Sequence, residues 1–201
     1  LGRGRHADLS AAARGSGRDA AAIGGFAHTS GMSLSIRNVT AADYPAVLAL
    51  NLESEALMSP LDAQRLAALD RESVYHRVAC DGENIVAFLL AFREGADYDS
   101  PNYVWFAQHY PRFLYVDRIA VAASHRGRKL GGLLYDDLFA FARERGFAQI
   151  ACEFYIVPFN EVSSRFHARY GFGEVGTQWV AGGAKQVSLQ IAPVPAAAAP
   201  A

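Results

Sequence analysis

The chain has 201 residues, 51% hydrophobic and 19% charged, enough apolar material for one sizeable domain and too much for wholesale disorder. Its 19 Lys and Arg against 20 Asp and Glu leave a formal net charge of -1, which excludes bulk attraction to nucleic acid or to an anionic membrane. No apolar run approaches the roughly 20 residues of a membrane helix. The two cysteines, Cys80 and Cys152, give neither a disulfide scaffold nor a CxxC metal site, and lone thiols fit a reducing cytoplasm.

Residues 1–31 mix Ala, Gly, Ser and Arg without a helical or strand period. They read as a disordered extension before a domain that starts at Met32, with an Arg-rich targeting leader as the alternative. Leu34–Arg37 reads as a strand. Thr40 and Asp43 form a capping box ahead of a helix with Tyr44, Val47 and Leu48 on one face. A second helix is expected over Asp62–Asp70. Val74–Cys80 and Ile85–Phe92 read as strands joined by the Asp81-Gly82 hairpin turn. An aromatic-rich loop, Gly95–Pro111, leads into a strand over Phe113–Val121. Leu130, Leu134, Leu138 and Phe141 give an amphipathic helix over Leu130–Arg145, stopped by Gly146. Then follow a strand at Ala148–Ile156, a helix at Asn160–Tyr170, and strands near Phe172–Val180 and Lys185–Ile191. Pro193 to Ala201 is an Ala/Pro tail. Helices interleave with hairpins, so a mixed-sheet α/β architecture is expected.

One segment carries most of the chemistry. At Val116–Tyr135 a strand enters a Gly-rich basic turn that opens directly into a helix. The first turn of a helix has unpaired N–H groups and a positive dipole end. Gly127, Gly131 and Gly132 remove side-chain bulk there, and Arg126, Arg128 and Lys129 add charge. This reads as a pyrophosphate cradle. It is neither a P-loop nor a dinucleotide fingerprint, since both spacings are absent. A solvated basic helix start is the bland alternative.

Here the sequence resembles the GNAT superfamily of acetyl-CoA-dependent N-acetyltransferases. Ile119-Ala120-Val121 matches the family's strand end, and Arg126-Gly127-Arg128-Lys129-Leu130-Gly131 its Arg/Gln-x-x-Gly-x-Gly/Ala turn, with Lys129 where Gly is usual. A second match follows one helix and one strand later. The run from Asn160 to Phe172 is similar to the family's Asn-x-x-Ala-x-x-Leu-Tyr-x-x-x-Gly-Phe, with Ser163 for Ala and His167 for the Tyr that is often the general acid. The resemblance covers about residues 34–192. It implies a mixed, mostly antiparallel sheet flanked by helices, with coenzyme A entering where two central strands diverge.

The same resemblance implies roles. Backbone groups of Ile119, Ala120 and Val121 meet the acetyl carbonyl and pantetheine. Arg126 to Gly132, Leu130 among them, and Asn160 bind the rest of the co-substrate. Acetyl transfer needs a base for the ammonium proton and an acid for the leaving sulfur. Strand alternation puts Tyr115, Asp117, Ile119 and Val121 on one face, which makes Asp117 the leading base, with a structural carboxylate as its alternative. Glu153 is a second base candidate. His167, with an ordinary pKa near 6.5, is the acid candidate, against an ordinary helical histidine. On the acceptor side, Asn51 and Glu55 extend the first helix stripe, Tyr103 and Trp105 sit in the aromatic loop, read as a lid or wall over the acceptor or as a subunit interface, and Tyr115 and Glu153 complete the expected substrate contacts. The expected function is transfer from acetyl-CoA to a primary amine of a small molecule, without a metal, in the cytoplasm. Nucleic acid and membrane partners are not expected, and a homodimer is the further assembly considered. A protein or peptide acceptor and a non-catalytic acyl-CoA-binding domain remain the alternatives.

Overall fold

A computed structural model describes residues 33–195. The expected extension over 1–31 and most of the Ala/Pro tail lie outside these residues. β1 (Leu34–Asn38) leads to α1 (Tyr44–Glu53) and α2 (Ala63–Glu72). β2 (Tyr75–Asp81) and β3 (Asn84–Arg93) follow, then α3 (Pro101–His109), β4 (Leu114–Val121), α4 (Leu130–Glu144) and β5 (Gln149–Val157). α5 (Glu161–Ala168), β6 (Gly173–Val180) and β7 (Lys185–Pro193) complete the order. Pro193 pairs with Gln149, and the Val194 N–H donates to the Ala148 carbonyl, so the tail begins later than its composition suggests.

The sheet runs β1-β2-β3-β4-β5-β7-β6, and its pairs are antiparallel except β4 with β5. That parallel contact spans two residue pairs, Leu114↔Ile150 and Tyr115↔Ala151. Beyond them β4 and β5 separate into a fork. The turns form as their residues dictate. Asp43 accepts from the Thr40 N–H at 2.8 Å, closing the capping box, and Gly82, Gly146 and Gly171 take positive φ.

Two expectations need correction. The segment read as an aromatic loop holds α3. Pro101 stands in its first turn, and Tyr103 and Phe106, three residues apart, drive one face into the core. The second concerns β4. In its pairing with β3, Leu90 faces Arg118 but Ala91 faces Val116, so Asp117 is the extra residue of a β-bulge. Alternation therefore breaks. Tyr115 packs on the α3 side with Tyr103, Phe106 and Leu189, whereas Ile119 and Val121 pack with Leu130 and Leu134 of α4.

Candidate active site

A hydrogen bond crosses the fork. The Tyr115 hydroxyl, from β4, donates to Glu153 Oε2 of β5 at 2.8 Å. The other carboxylate oxygen accepts from Asn102 Nδ2 of α3 at 2.9 Å. Asn102 in turn accepts from Gln178 Nε2 of β6 at 3.1 Å. Glu153 sits two residues past the last β4–β5 pair, on the α3 face with its register partner Leu189. Burial pushes its carboxyl up to about 7, while the two neutral donors hold it down. Both donors are neutral, so neither offsets the desolvation as a bonded cation would.

Asp117 sits beside this group but is engaged differently. Its Oδ2 accepts from Arg118 Nε at 2.6 Å, and its Oδ1 from the Tyr98 hydroxyl. Arg118 also donates to Asn51 Oδ1 of α1 at 2.9 Å, so Asn51 is buried for a reason: it completes a guanidinium. An Asp117 carboxylate paired with a buried guanidinium is a structural ion pair rather than a free base. Beyond Asn51, a cleft of about 460 Å³ opens between α1 and α2, lined by Leu52, Glu55, Pro60, Leu61, Asp62 and Arg65. Glu55 is exposed at this cleft. Tyr103 is no lid. It is 3% exposed, and its hydroxyl accepts from the Ala96 N–H and donates to the Arg93 carbonyl, holding the approach to α3. Trp105 packs on β6, where a Cβ at Gly176 would stand 3.1 Å from its ring.

The opposite face carries the basic turn. Arg126, Gly127, Arg128 and Lys129 are exposed, and α4 starts at Leu130 without a side-chain cap or an acidic residue in its first turn. Lys129 keeps a left-handed backbone, φ 63°, in the position where the resemblance expects Gly. Gly127 has φ 77° and open space around it. Uncapped N–H groups, three cations and this space suit a pyrophosphate. Gly131 and Gly132 have a packing role. Their missing side chains let α5 approach, with Phe166 3.5 Å and the Tyr170 hydroxyl 3.3 Å from where a Cβ would be. Asn160 caps α5 by accepting from the Ser163 N–H at 3.0 Å.

His167 is not the switchable imidazole expected. It is 5% exposed among Tyr135, Phe154, Phe166 and Phe172. Its Nδ1–H donates to the Ser163 carbonyl at 2.8 Å, and its Nε2 accepts from the Tyr135 hydroxyl at 2.8 Å. Burial lowers its pKa to about 4, so it is neutral across the physiological range. Cys152 is buried and its thiol is pushed well up, as befits a core residue.

The family model for the acetyltransferase (GNAT) family matches residues 35–172. The chain belongs to the GNAT acetyltransferase family. No curated protein matches it in sequence. Among solved structures it is similar in fold to the ribosomal-protein-S18-alanine N-acetyltransferase from Escherichia coli, with TM-score 0.63 and 16% identity over 82% of this chain and 96% of that one. It is likewise similar to yncA, a putative acetyltransferase from Salmonella typhimurium with its cofactor acetyl-CoA, with TM-score 0.62 and 16% identity over 84% and 98%. A third is Arabidopsis thaliana NAA60 in complex with a bisubstrate analogue, with TM-score 0.66 and 10% identity over 82% and 100%. The sheet order and forked strands of this GNAT member are thus those of an acetyltransferase fold. Sequence reasoning ranked Glu153 second and missed Asn102 and Gln178. The face of β5 and the contacts of α3 arise from long-range packing, although Pro101 and the Tyr103/Phe106 spacing did signal a helix.

Proposed function

We propose that the protein transfers the acetyl group of acetyl-CoA to a primary amine of a small molecule, with Glu153 as the general base. The observation that carries this reading is the Glu153 carboxyl at the fork of β4 and β5, its oxygens accepting from the Tyr115 hydroxyl and the Asn102 amide, raised by burial to about 7. An amine is protonated at neutral pH and must lose a proton to attack. A base whose pKa lies near the working pH is suited to take it. Asp117, neutralised by Arg118, is left to hold the bulge.

Acetyl-CoA supplies the acyl thioester. The α4 start with Arg126, Gly127, Arg128 and Lys129 would hold its phosphates, Asn160 would lie nearby, and the backbone of Ile119 to Val121 would border its acyl arm. The cleft at Asn51 and Glu55 would receive the acceptor. The open, 460 Å³ cleft with exposed Leu52 on its rim favours one second reading, a peptide amine. A screen of small amines and of short peptides, read by free-thiol release from acetyl-CoA, tests both. Turnover with small amines is expected. Release with peptides alone would move the assignment to the second reading, and release with neither would overturn the enzyme.

A further inference from the structure

We propose that Asn102 of α3, held by Gln178 of β6, is a positioning residue that fixes where the Glu153 carboxylate points at the fork. This rests on the role given to Glu153 above and extends the site to two elements outside the motif-bearing β4–α4 segment.

The argument begins with the amide. A carboxamide has a donor end and an acceptor end. Gln178 Nε2 donates to Asn102 Oδ1 at 3.1 Å, which requires that Asn102 present Nδ2 to Glu153 Oε1, 2.9 Å away. The orientation of Asn102 is therefore set from β6. Asn102 is 9% exposed and α3 is clamped by Tyr103 and Phe106 in the core, so its side chain has little freedom. With the Tyr115 hydroxyl on the other oxygen, the carboxylate is held at both ends, from β4 and from α3. Both bonds require the oxygens to accept, as an ionised carboxylate does. They favour the base form against the cost of burial.

The other groups around Glu153 leave this arrangement as its immediate control. From β4 come Tyr115, Asp117 and Arg118, the last two paired with each other. Tyr98, in the loop before α3, and Tyr135 of α4, on the other face of the sheet, are close enough to feel its charge. On its own strand lies Cys152. β7 meets it through Leu189 and β6 contributes the neutral Gln178. Besides Asn102, the tyrosine of β4 is the direct partner.

The test uses the full chain labelled with 13C at the Glu side-chain carboxyl carbon. The Glu153 signal is identified by its loss in Glu153→Gln. In Asn102→Leu, which is close in size but donates nothing, the titration midpoint of that signal should rise by about one pH unit. In Gln178→Met the rise should be smaller but of the same sign. The acid limb of kcat/KM should move with each midpoint. An unmoved midpoint in a folded Asn102→Leu overturns the proposal, and a shift there with none in Gln178→Met overturns the part given to Gln178. Should Asn102→Leu fail to fold, Gln178→Met decides alone. A midpoint that moves while the kinetic limb stays supports the positioning and instead overturns Glu153 as the base.

Discussion

Among the titratable groups on the two faces of the sheet at the fork are a carboxyl, Glu153, and an imidazole, His167, whose pKa values burial moves in opposite directions. On the α3 face burial raises the Glu153 carboxyl to about 7, because its two neutral donors only partly offset the desolvation, and both of its forms are accessible at physiological pH. On the α4–α5 face His167 has a donor for Nε2 and an acceptor for Nδ1, and its pKa is lowered to about 4. The first group is poised to exchange protons. The second is locked in its neutral form and joins two helices. A titratable residue in a motif position is therefore not yet a reacting group; its bonded partners and its burial settle which form it takes.

The largest effect should come from Glu153→Gln. The amide is isosteric but cannot take a proton. A drop in kcat/KM of about 10²–10⁴ is expected, with acetyl-CoA affinity retained, and the acid limb near pH 7 should vanish. Steady-state kinetics across pH 5.5–9 check this. Stability adds an independent readout. A carboxyl raised from 4.5 to about 7 on folding makes the folded state bind more protons in that window, so stability falls as pH rises from 4.5 to 7. Glu153→Gln should remove that decline. A rate within tenfold of wild type would erase the contrast between the faces.

Much of the fold was legible in the sequence because its signals are local. The capping box at Thr40 and Asp43, the Asp81-Gly82 turn and the stripe of Leu130, Leu134 and Leu138 each act within a few residues. The site was less legible because its geometry depends on events that are not local. The bulge at Asp117 reverses the alternation that assigned its face. Glu153, Asn102 and Gln178 lie on three elements far apart in the chain. His167 stands in a motif position, but its burial also needs Tyr135 and Phe154, which lie outside its own motif run.

The middle-sized effect sharpens the other half of the comparison. His167→Phe leaves the buried Tyr135 hydroxyl without its acceptor and should destabilise by about 2 kcal/mol. That corresponds to a Tm lower by roughly 4–8 °C for a domain of this size. The rate per folded molecule should stay within a few-fold of wild type. Adding Tyr135→Phe removes the orphaned hydroxyl, so the double variant should lose less than the sum of the singles. Thermal melts of the four proteins, with kinetics on each, make the test. A hundredfold loss of kcat in a well-folded His167→Phe would restore a proton-transfer role to this face.

The smallest effect concerns Lys129, where charge and backbone geometry oppose one another. A left-handed backbone costs an L-residue roughly 1–2 kcal/mol, and φ is 63° here. A cation at a helix N-terminus is also disfavoured by the dipole, by roughly 0.3–1 kcal/mol. Lys129→Gly relieves both, although the unfolded chain gains roughly 0.4–1 kcal/mol of conformational freedom in return. The net gain should be about 1 kcal/mol, seen as a Tm higher by roughly 2–4 °C. The position thus bears a residue that folding alone does not favour. On the function proposed above a phosphate ligand would account for it, because Lys129 is exposed, three residues after the exposed Arg126, at the uncapped start of α4. Affinity for acetyl-CoA should accordingly fall several-fold in Lys129→Gly at low ionic strength. The gap should narrow as salt screens the exposed charge. Thermal melts and calorimetric titrations at two salt concentrations separate the two effects. A stabilised variant with undiminished affinity at low salt would show that the ammonium does not meet the ligand, and would leave the strain at Lys129 unexplained by binding.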